Sequence, residues 1–354
     1  MQHLRFLIID EADRLLNQNY SDWINKINVS TNLSSSKSKH SSDQSLHFQK
    51  SPDGMSFILD AITRRESTSR SILTDGHETS RAISLRKMLF SATLSNDPQK
   101  LASLGLTHPK YFDVSEFHKA HYSEKNIDIG ESDTQKYIIP PTLTELVVEC
   151  TAEQKPLVLV ALLREFRQHL NDGSEKVSVV FTGSVDSTHR LARLLQLIWG
   201  SAEYGPASCI AEYSSQLKQK HRQRIIESCK NGDIKILICS DGMSRGMDLD
   251  VNVVIHYDLP SYANTYVHRC GRTARAGKKG FAISILKTGQ RAKFDKMRQL
   301  LVANKVIEKG IKKDMIDRAI AVYTKCTKQV RRILDDEANG ILRFHVPIRD
   351  EYLV

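Results

Sequence analysis

Apolar residues along this chain gather into short continuous runs separated by polar stretches. Phe6-Leu7-Ile8-Ile9 comes first, a run of the kind found in a parallel strand covered on both faces. It has almost no lead-in, so the pattern predicts a domain entered in mid-sheet. Met88-Leu89-Phe90 restores apolar character after a long polar interval. Beyond it the pattern alternates. Leu146-Val147-Val148 predicts a strand, Leu157–Phe166 a helix, Val177–Phe181 a strand and His189–Ile198 a helix. Arg222–Cys229 then predicts a helix, and Ile236–Cys239, Val251–His256 and Phe281–Leu286 three strands. Alternating strands and helices predict an α/β fold on a parallel sheet. From about residue 305 the pattern is helical.

Two intervals break this rhythm. Residues 30–80 hold 14 serines. Such a segment buries too little apolar area to offset its ordering entropy, so 30–52 and 64–82 are expected to be a disordered insertion, with a short helix over Phe57–Ile62 between them. Residues 117–142, polar and containing Pro140-Pro141, suit an interdomain linker. The expected organisation is therefore a first domain over 1–116 carrying the insertion, a second over 143–305, and a basic helical tail over 306–354.

Composition narrows the class. Lys and Arg number 51 against 41 Asp and Glu, and the resulting charge of +10 favours a polyanionic partner such as nucleic acid or an anionic membrane surface. Residues 287–354 alone hold 16 Lys/Arg against 9 Asp/Glu. No stretch approaches the length of a transmembrane helix, and the N-terminus lacks the features of a secretory signal. The six cysteines include no C-x-x-C pair, so neither a zinc knuckle nor a redox motif is indicated; free thiols of a reducing compartment fit best.

Four segments carry candidate chemistry, each just after an apolar run or within a Gly-punctuated turn. Ile8-Ile9-Asp10-Glu11-Ala12-Asp13 delivers acids at a strand end, an arrangement that holds Mg²⁺ beside a nucleotide, although acids there also cap helices. Phe90-Ser91-Ala92-Thr93 offers hydroxyls to a neighbouring strand end, although by itself Ser-Ala-Thr is a weak signal and more often an N-cap or turn. Ser240-Asp241-Gly242, leading to Arg245, Gly246 and Asp248, offers a hydroxyl and backbone N–H groups to a phosphate and an acid to a ribose, or is simply a Gly-rich turn. His268-Arg269-Cys270-Gly271-Arg272-Thr273-Ala274-Arg275 spaces two arginines three apart, which in a helical turn places both on one face. Two guanidinium groups so placed suit a transferring γ-phosphoryl, though Arg-rich turns are also common on solvated surfaces.

In this order, these segments resemble the DEAD-box RNA helicases of superfamily 2. Asp10–Asp13 resembles motif II, Ser91–Thr93 motif III, Val179–Ser184 motif IV, Gln219–Arg222 the Q-x-x-R element, Ser240–Asp248 motif V and His268–Arg275 motif VI. The resemblance implies two RecA-like parallel-sheet domains, the first one partial, and an ATP-dependent RNA helicase using ATP and Mg²⁺. It implies that Asp10 holds Mg²⁺ through water and that Glu11 activates the attacking water, with Arg272 and Arg275 completing the catalytic set. Gly246 and Asp248 join these arginines around the nucleotide. Asp13, Ser91, Thr93 and His268 would couple the motifs, and Ser184, Arg222, Ser240 and Gly242 would contact RNA. Ser240 stands where the family usually has Thr, and Ala274 where it usually has Gly.

Finer resemblance, over Asp10–Gln18, Lys87–Leu94 with Lys100–Leu106, Phe181–Ser184 with His189-Arg190-Leu191, and Arg272–Gly277, is to the nucleolar branch acting in large-ribosomal-subunit biogenesis. That implies a nuclear, nucleolar protein with pre-rRNA and ribosome-assembly proteins as partners and no membrane. The family's phosphate loop, G-x-x-x-x-G-K-[ST], has no counterpart in the 354 residues; Gly271–Lys279 has the wrong spacing and Lys279 in place of the hydroxyl. The expectation is a chain N-terminally incomplete, starting at motif II, whose first domain shows exposed sheet faces and an open edge. An ATPase-dead RNA-binding fragment or competitor stays open as the alternative.

Overall fold

A computed structural model gives the fold. It describes residues 5–10, 12, 26–27, 49–50, 57–60, 85–91, 106, 109–112, 137–169, 177–200, 204–243 and 249–340. The chain divides into two compact units, residues 1–129 and 130–354.

The first unit contains β1 (Phe6–Ile9), β2 (Gln49–Lys50), β3 (Phe57–Asp60), β4 (Arg86–Phe90) and β5 (Pro109–Tyr111), in the sheet order β1-β4-β3-β5-β2. β1 and β4 are parallel, with Ile9 opposite Leu89. β3 lies antiparallel to both β4 and β5, so this sheet is mixed and not purely parallel. The short helix expected over Phe57–Ile62 is therefore a strand over Phe57–Asp60, and Gln49–Lys50, inside the expected disordered stretch, pairs with β5. A continuous apolar run of three residues, Phe57-Ile58-Leu59, has no period to separate helix from strand, and here neighbouring strands supply partners that an isolated helical turn lacks. The rest of the insertion lies outside the described residues. Among the described residues β1 is one of the two end strands of this sheet; Ile9 is buried, but Phe6 is 47% and Ile8 64% exposed, so one of its faces is less covered than that of a doubly buried strand.

The second unit contains β6 (Tyr137–Ile138), β7 (Leu143–Cys150), α1 (Lys155–His169), β8 (Val177–Thr182), α2 (Val185–Gly200), β9 (Ile210–Tyr213) and α3 (Gln219–Lys230). It continues with β10 (Ile236–Ser240), β11 (Val251–His256), α4 (Ala263–Cys270), β12 (Gly280–Lys287), α5 (Arg291–Arg298), β13 (Leu301–Val302), β14 (Ile307–Glu308) and α6 (Lys313–Ala338). Seven strands form one sheet in the order β14-β7-β12-β11-β8-β10-β9, and every neighbouring pair is parallel. β6 pairs separately with β13, so the C-terminal end of the expected linker is ordered and Ile139 is fully buried.

The continuous apolar runs are explained by cover on both faces. Val180, Ile236, Ile238, Val253 and Ile283 point into a core closed by α1, α2 and α6. Val179, Phe181, Leu237 and Val254 point to the opposite face, with Cys229 of α3. Beside them Leu143, Val147, Ala282 and Leu286 pack with Tyr266 of α4 and Phe294 of α5. The tail helix α6 is an element of this core. Ala319, Cys326 and Ile333 are buried at helical spacing, with Ile316, Val322 and Val330 packed alongside. All six cysteines are free and buried, and all belong to the second unit. Among the described residues no helix is long and apolar enough to cross a membrane.

Candidate functional site

The chain runs outward from β8 to β9, returns to β10, and crosses to β11 on the other side of β8. The strand order reverses there, and in such sheets ligands bind in the crevice outside the carboxyl ends of the strands at that reversal. Register aligns these ends. Ser240 lies opposite Thr182, and His256 opposite Phe181. The segments after β8, β10 and β11 therefore emerge side by side, and two of the four segments singled out from the sequence, those from Ser240 and from His268, open there or pack against that edge.

Ser184 follows β8 and is exposed. Its hydroxyl accepts from the Ser187 N–H at 3.1 Å and its carbonyl accepts from Thr188 Oγ1 at 2.8 Å, so the N-terminus of α2 sets its position. Thr188 Oγ1 lies 2.6 Å from Thr182 Oγ1 and ties α2 to the end of β8. Ser240 is the buried last residue of β10, and Gly242 is exposed in the 3₁₀ turn Asp241–Met243. Arg222 lies in the first turn of α3, where Nη2 donates to Gln219 Oε1 at 2.6 Å.

A residue outside the predicted set joins these segments. Asp258, two residues past β11, receives the Gly183 N–H on Oδ2 at 2.9 Å and the Lys155 ammonium on Oδ1 at 2.6 Å. Its own N–H donates to the Phe181 carbonyl at 3.1 Å. Lys155, the first residue of α1, is buried, and its Nζ stands 4.3 Å from the centre of the Tyr257 ring. Burial pulls the Lys155 pKa down. Against the same pull of burial, the ammonium and the Gly183 N–H hold the Asp258 carboxyl below its usual value. The Asp258 carbonyl accepts from Arg269 Nη1 at 2.6 Å, and Arg269 Nε donates to Asp241 Oδ1 at 2.5 Å. Arg269 is buried, with its guanidinium over the Phe181 ring. One bonded chain thus runs Lys155–Asp258–Arg269–Asp241, with Gly183 as a branch.

Helix α4 carries His268, buried, and ends at Gly271. The sequence predicted Arg272 and Arg275 on one face of a helical turn; the backbone does otherwise. Ala274 has φ +54° and Ala276 φ +50°, left-handed values that turn the chain between and after the two arginines. The cause is visible at Gly280, the first residue of β12. A Cβ there would meet Thr273 Oγ1 at 2.2 Å and the Ala274 nitrogen at 2.6 Å, so β12 passes directly under the turn. Thr273 Oγ1 also donates to the Asn252 carbonyl at 2.9 Å, which pins the turn to β11. Each arginine is steadied by the backbone four residues earlier: Arg272 Nε donates to the His268 carbonyl at 3.3 Å, and Arg275 Nε to the Gly271 carbonyl at 2.7 Å. In the first unit, Asp10 follows β1 and is exposed, and Ser91 follows β4, half-buried. The pairing of Ile9 with Leu89 brings both out at one end of adjacent parallel strands. Glu11, Asp13, Thr93, Gly246 and Asp248 lie outside the described residues.

Comparison with known proteins agrees with this geometry. The family model described as the helicase conserved C-terminal domain matches residues 155–277. The DEAD-box ATP-dependent RNA helicase 1 of Arabidopsis thaliana is 32% identical over 339 residues, covering 96% of this chain and 57% of the relative. The probable ATP-dependent RNA helicase ddx51 of Dictyostelium discoideum is 36% identical over 289 residues, 81% of this chain and 47% of the relative. The chain belongs to the DEAD-box helicase family. It spans about half the length of these curated relatives. The solved structure of Mss116p bound to ssRNA and AMP-PNP shares the fold, with TM-score 0.58 and 20% identity over 99% of this chain and 56% of that one.

For a DEAD-box protein, Asp258, Lys155 and Arg269 are the residues that sequence reasoning passed over. Asp258 had a signal. Asp258-Leu259-Pro260 follows the apolar run Val251–His256, the same strand-end placement that marked Asp10 and Ser240. Arg269 sat inside a recognised motif but among other arginines, and nothing in the sequence shows which of them turns inward.

Proposed function

We propose that this chain is the RNA- and nucleotide-contacting portion of an ATP-dependent RNA helicase that opens short duplexes during ribosome biogenesis in the nucleolus. The observation that carries the reading is the alignment of Ser184, Ser240 and Gly242 along the carboxyl edge of β8 and β10, with the Arg272–Arg275 turn tied to that edge through Arg269. Ser184, Arg222, Ser240 and Gly242 would take RNA phosphates, a sequence-independent and salt-sensitive contact. The excess of 51 Lys/Arg over 41 Asp/Glu fits that polyanion. Arg272 and Arg275 would face the γ-phosphoryl, while Gly246 and Asp248 hold the nucleotide. Asp10 would hold Mg²⁺ through water, and its exposed place at the end of β1 leaves room for a hydrated ion. Glu11 would activate the attacking water, and Asp13, Ser91, Thr93 and His268 would transmit closure. When bound, Mg²⁺–ATP supplies the phosphoryl group whose loss resets the RNA grip. The division into a domain over 1–116, a linker over 117–142, a domain over 143–305 and a tail over 306–354 belongs to the same proposal, as do pre-rRNA and assembly proteins as partners. Likeness to the large-subunit biogenesis branch supports the nucleolar assignment.

The test has two arms. The 354-residue chain is titrated with fluorescent single-stranded RNA at several salt concentrations. Binding is expected to weaken as salt rises, and Arg222→Glu is expected to weaken it about tenfold. A chimera that prefixes the part of the Dictyostelium relative lying ahead of the matched region is assayed for RNA-stimulated ATP hydrolysis, with Arg272→Ala lowering turnover about 10³-fold or more. RNA binding without turnover in the chimera would favour the adaptor reading, and salt-insensitive or absent RNA binding would overturn both.

A further inference from the structure

A cavity of about 240 Å³ opens between α2, β9 and α3, and none of the residues assigned above lines it. Its walls include Ala192, Ile210, Ala211, Leu217, Ile225 and Ile234. We propose that this cavity is a docking socket for an extended acidic peptide of a partner protein, which lies along the edge of β9 and inserts one aliphatic side chain.

Four observations lead there. First, the volume is below the roughly 300–1,000 Å³ of small-molecule pockets, a scale that suits a single side chain better than a cofactor. Second, the lining holds no Phe, Tyr or Trp, and its one ring, the His221 imidazole, is exposed at the mouth, so the aliphatic walls inside offer a flipped-out base no ring to stack on and favour a protein side chain. Third, β9 is one of the two edge strands of the seven-stranded sheet among the described residues, a position at which an extended segment is added to a sheet; its Ile210 carbonyl already accepts from Gln196 Nε2 at 3.0 Å, so the added segment would pair beyond Ile210. Fourth, the rim is cationic. His221 and Arg224, both exposed, stand at the mouth on α3, a helix with four Lys/Arg and one Glu. Arg193 and Glu212, also in the lining, are internally engaged. Glu212 Oε2 lies 2.7 Å from His189 Nδ1, Glu337 Oε2 lies 2.6 Å from His189 Nε2, and Arg193 bonds Glu337 Oε1. Two carboxylates against a guanidinium and a protonated imidazole leave that wall neutral, so Glu212 does not cancel the rim. Arg222, placed in the proposed RNA set, is absent from the lining, while its neighbour His221 stands at the mouth, so the test includes competition by RNA.

The experiment uses the 354-residue chain with labelled isoleucine and leucine methyl groups, followed by NMR. The probe is an acetylated, amidated heptapeptide with a central leucine and three acidic residues on each side. Saturable shifts are expected at the methyls of Ile210, Leu217, Ile225 and Ile234. Replacing the central leucine by alanine is expected to weaken binding at least about tenfold, and Arg224→Glu about tenfold. Ala211→Leu, which fills the cavity from its wall, is expected to abolish the shifts. Absence of saturable shifts at these methyls, or equal affinity for the alanine peptide, would overturn the proposal. A decauridine that displaces the peptide would overturn it too, in favour of an RNA surface.

Discussion

Removing the Asp258 carboxylate leaves the Lys155 ammonium, 3% exposed, buried without its counter-charge. Asp258→Ala is therefore expected to lose about 3 kcal/mol of stability in denaturant unfolding, and pairing it with Lys155→Met to recover much of that loss. The same substitution frees the Gly183 N–H, so RNA affinity should fall even where the double variant folds normally. Gly280→Ala makes a second residue-scale case. The added methyl would collide with Thr273 Oγ1 and the Ala274 backbone, so the variant should lose roughly 2 kcal/mol, and RNA-stimulated ATP turnover in the chimera should fall with it as the Arg272–Arg275 turn is displaced. Neither Lys155 nor Gly280 was legible beforehand. A lysine ahead of an apolar helix and a glycine opening a strand have ordinary surface readings, and what makes them necessary is a neighbour more than one hundred residues away for Lys155, and a crossing chain for Gly280.

At the scale of elements, strands buried on both faces could be read directly because continuous Val/Ile/Leu runs have few other uses; β8, β10, β11 and β12 fall where those runs lie. β9 could not, since Ile-Ala-Glu-Tyr is short and carries a buried acid. Its Glu212 makes sense only once α6 returns to the same place. There His189 of α2 is held between Glu212 of β9 and Glu337 of α6, with Arg193 beside it. Burial opposes the charged imidazole, but the two carboxylates prevail and raise its pKa to about 9. A folded pKa above the unfolded value gives stability that is complete below about pH 6.5 and is lost as pH rises through about 9. Thermal unfolding of the parent chain and His189→Gln should therefore differ most near pH 6 and converge above pH 9.5 or so, with roughly 3 kcal/mol as the upper bound on the gap. A constant gap across that range would mean that packing, not charge, holds α6 at this point.

For the molecule as a whole, family membership was legible from short segments because the chemistry at strand ends is local. The mixed first sheet was not, because β3 depends on which strands happen to be available as neighbours. Limited proteolysis should leave a resistant core spanning about 137–340, since β6 through α6 make up one compact unit of the seven-stranded sheet, the β6–β13 pair and their covering helices. Recovery of a core centred on 1–129 would contradict it. The cysteines give a finer view of the same unit. Burial raises Cys229 to about 12 and Cys326 to about 11, so neither reacts readily while its surroundings stay closed. With one thiol each on β7, α3, β10, α4 and α6 and one just before β9, and none in the first unit, an alkylating reagent reads the opening of the second unit element by element. The order in which the six masses appear would be a clock of its unfolding, and Cys326 would show whether the tail helix lifts before the sheet it covers.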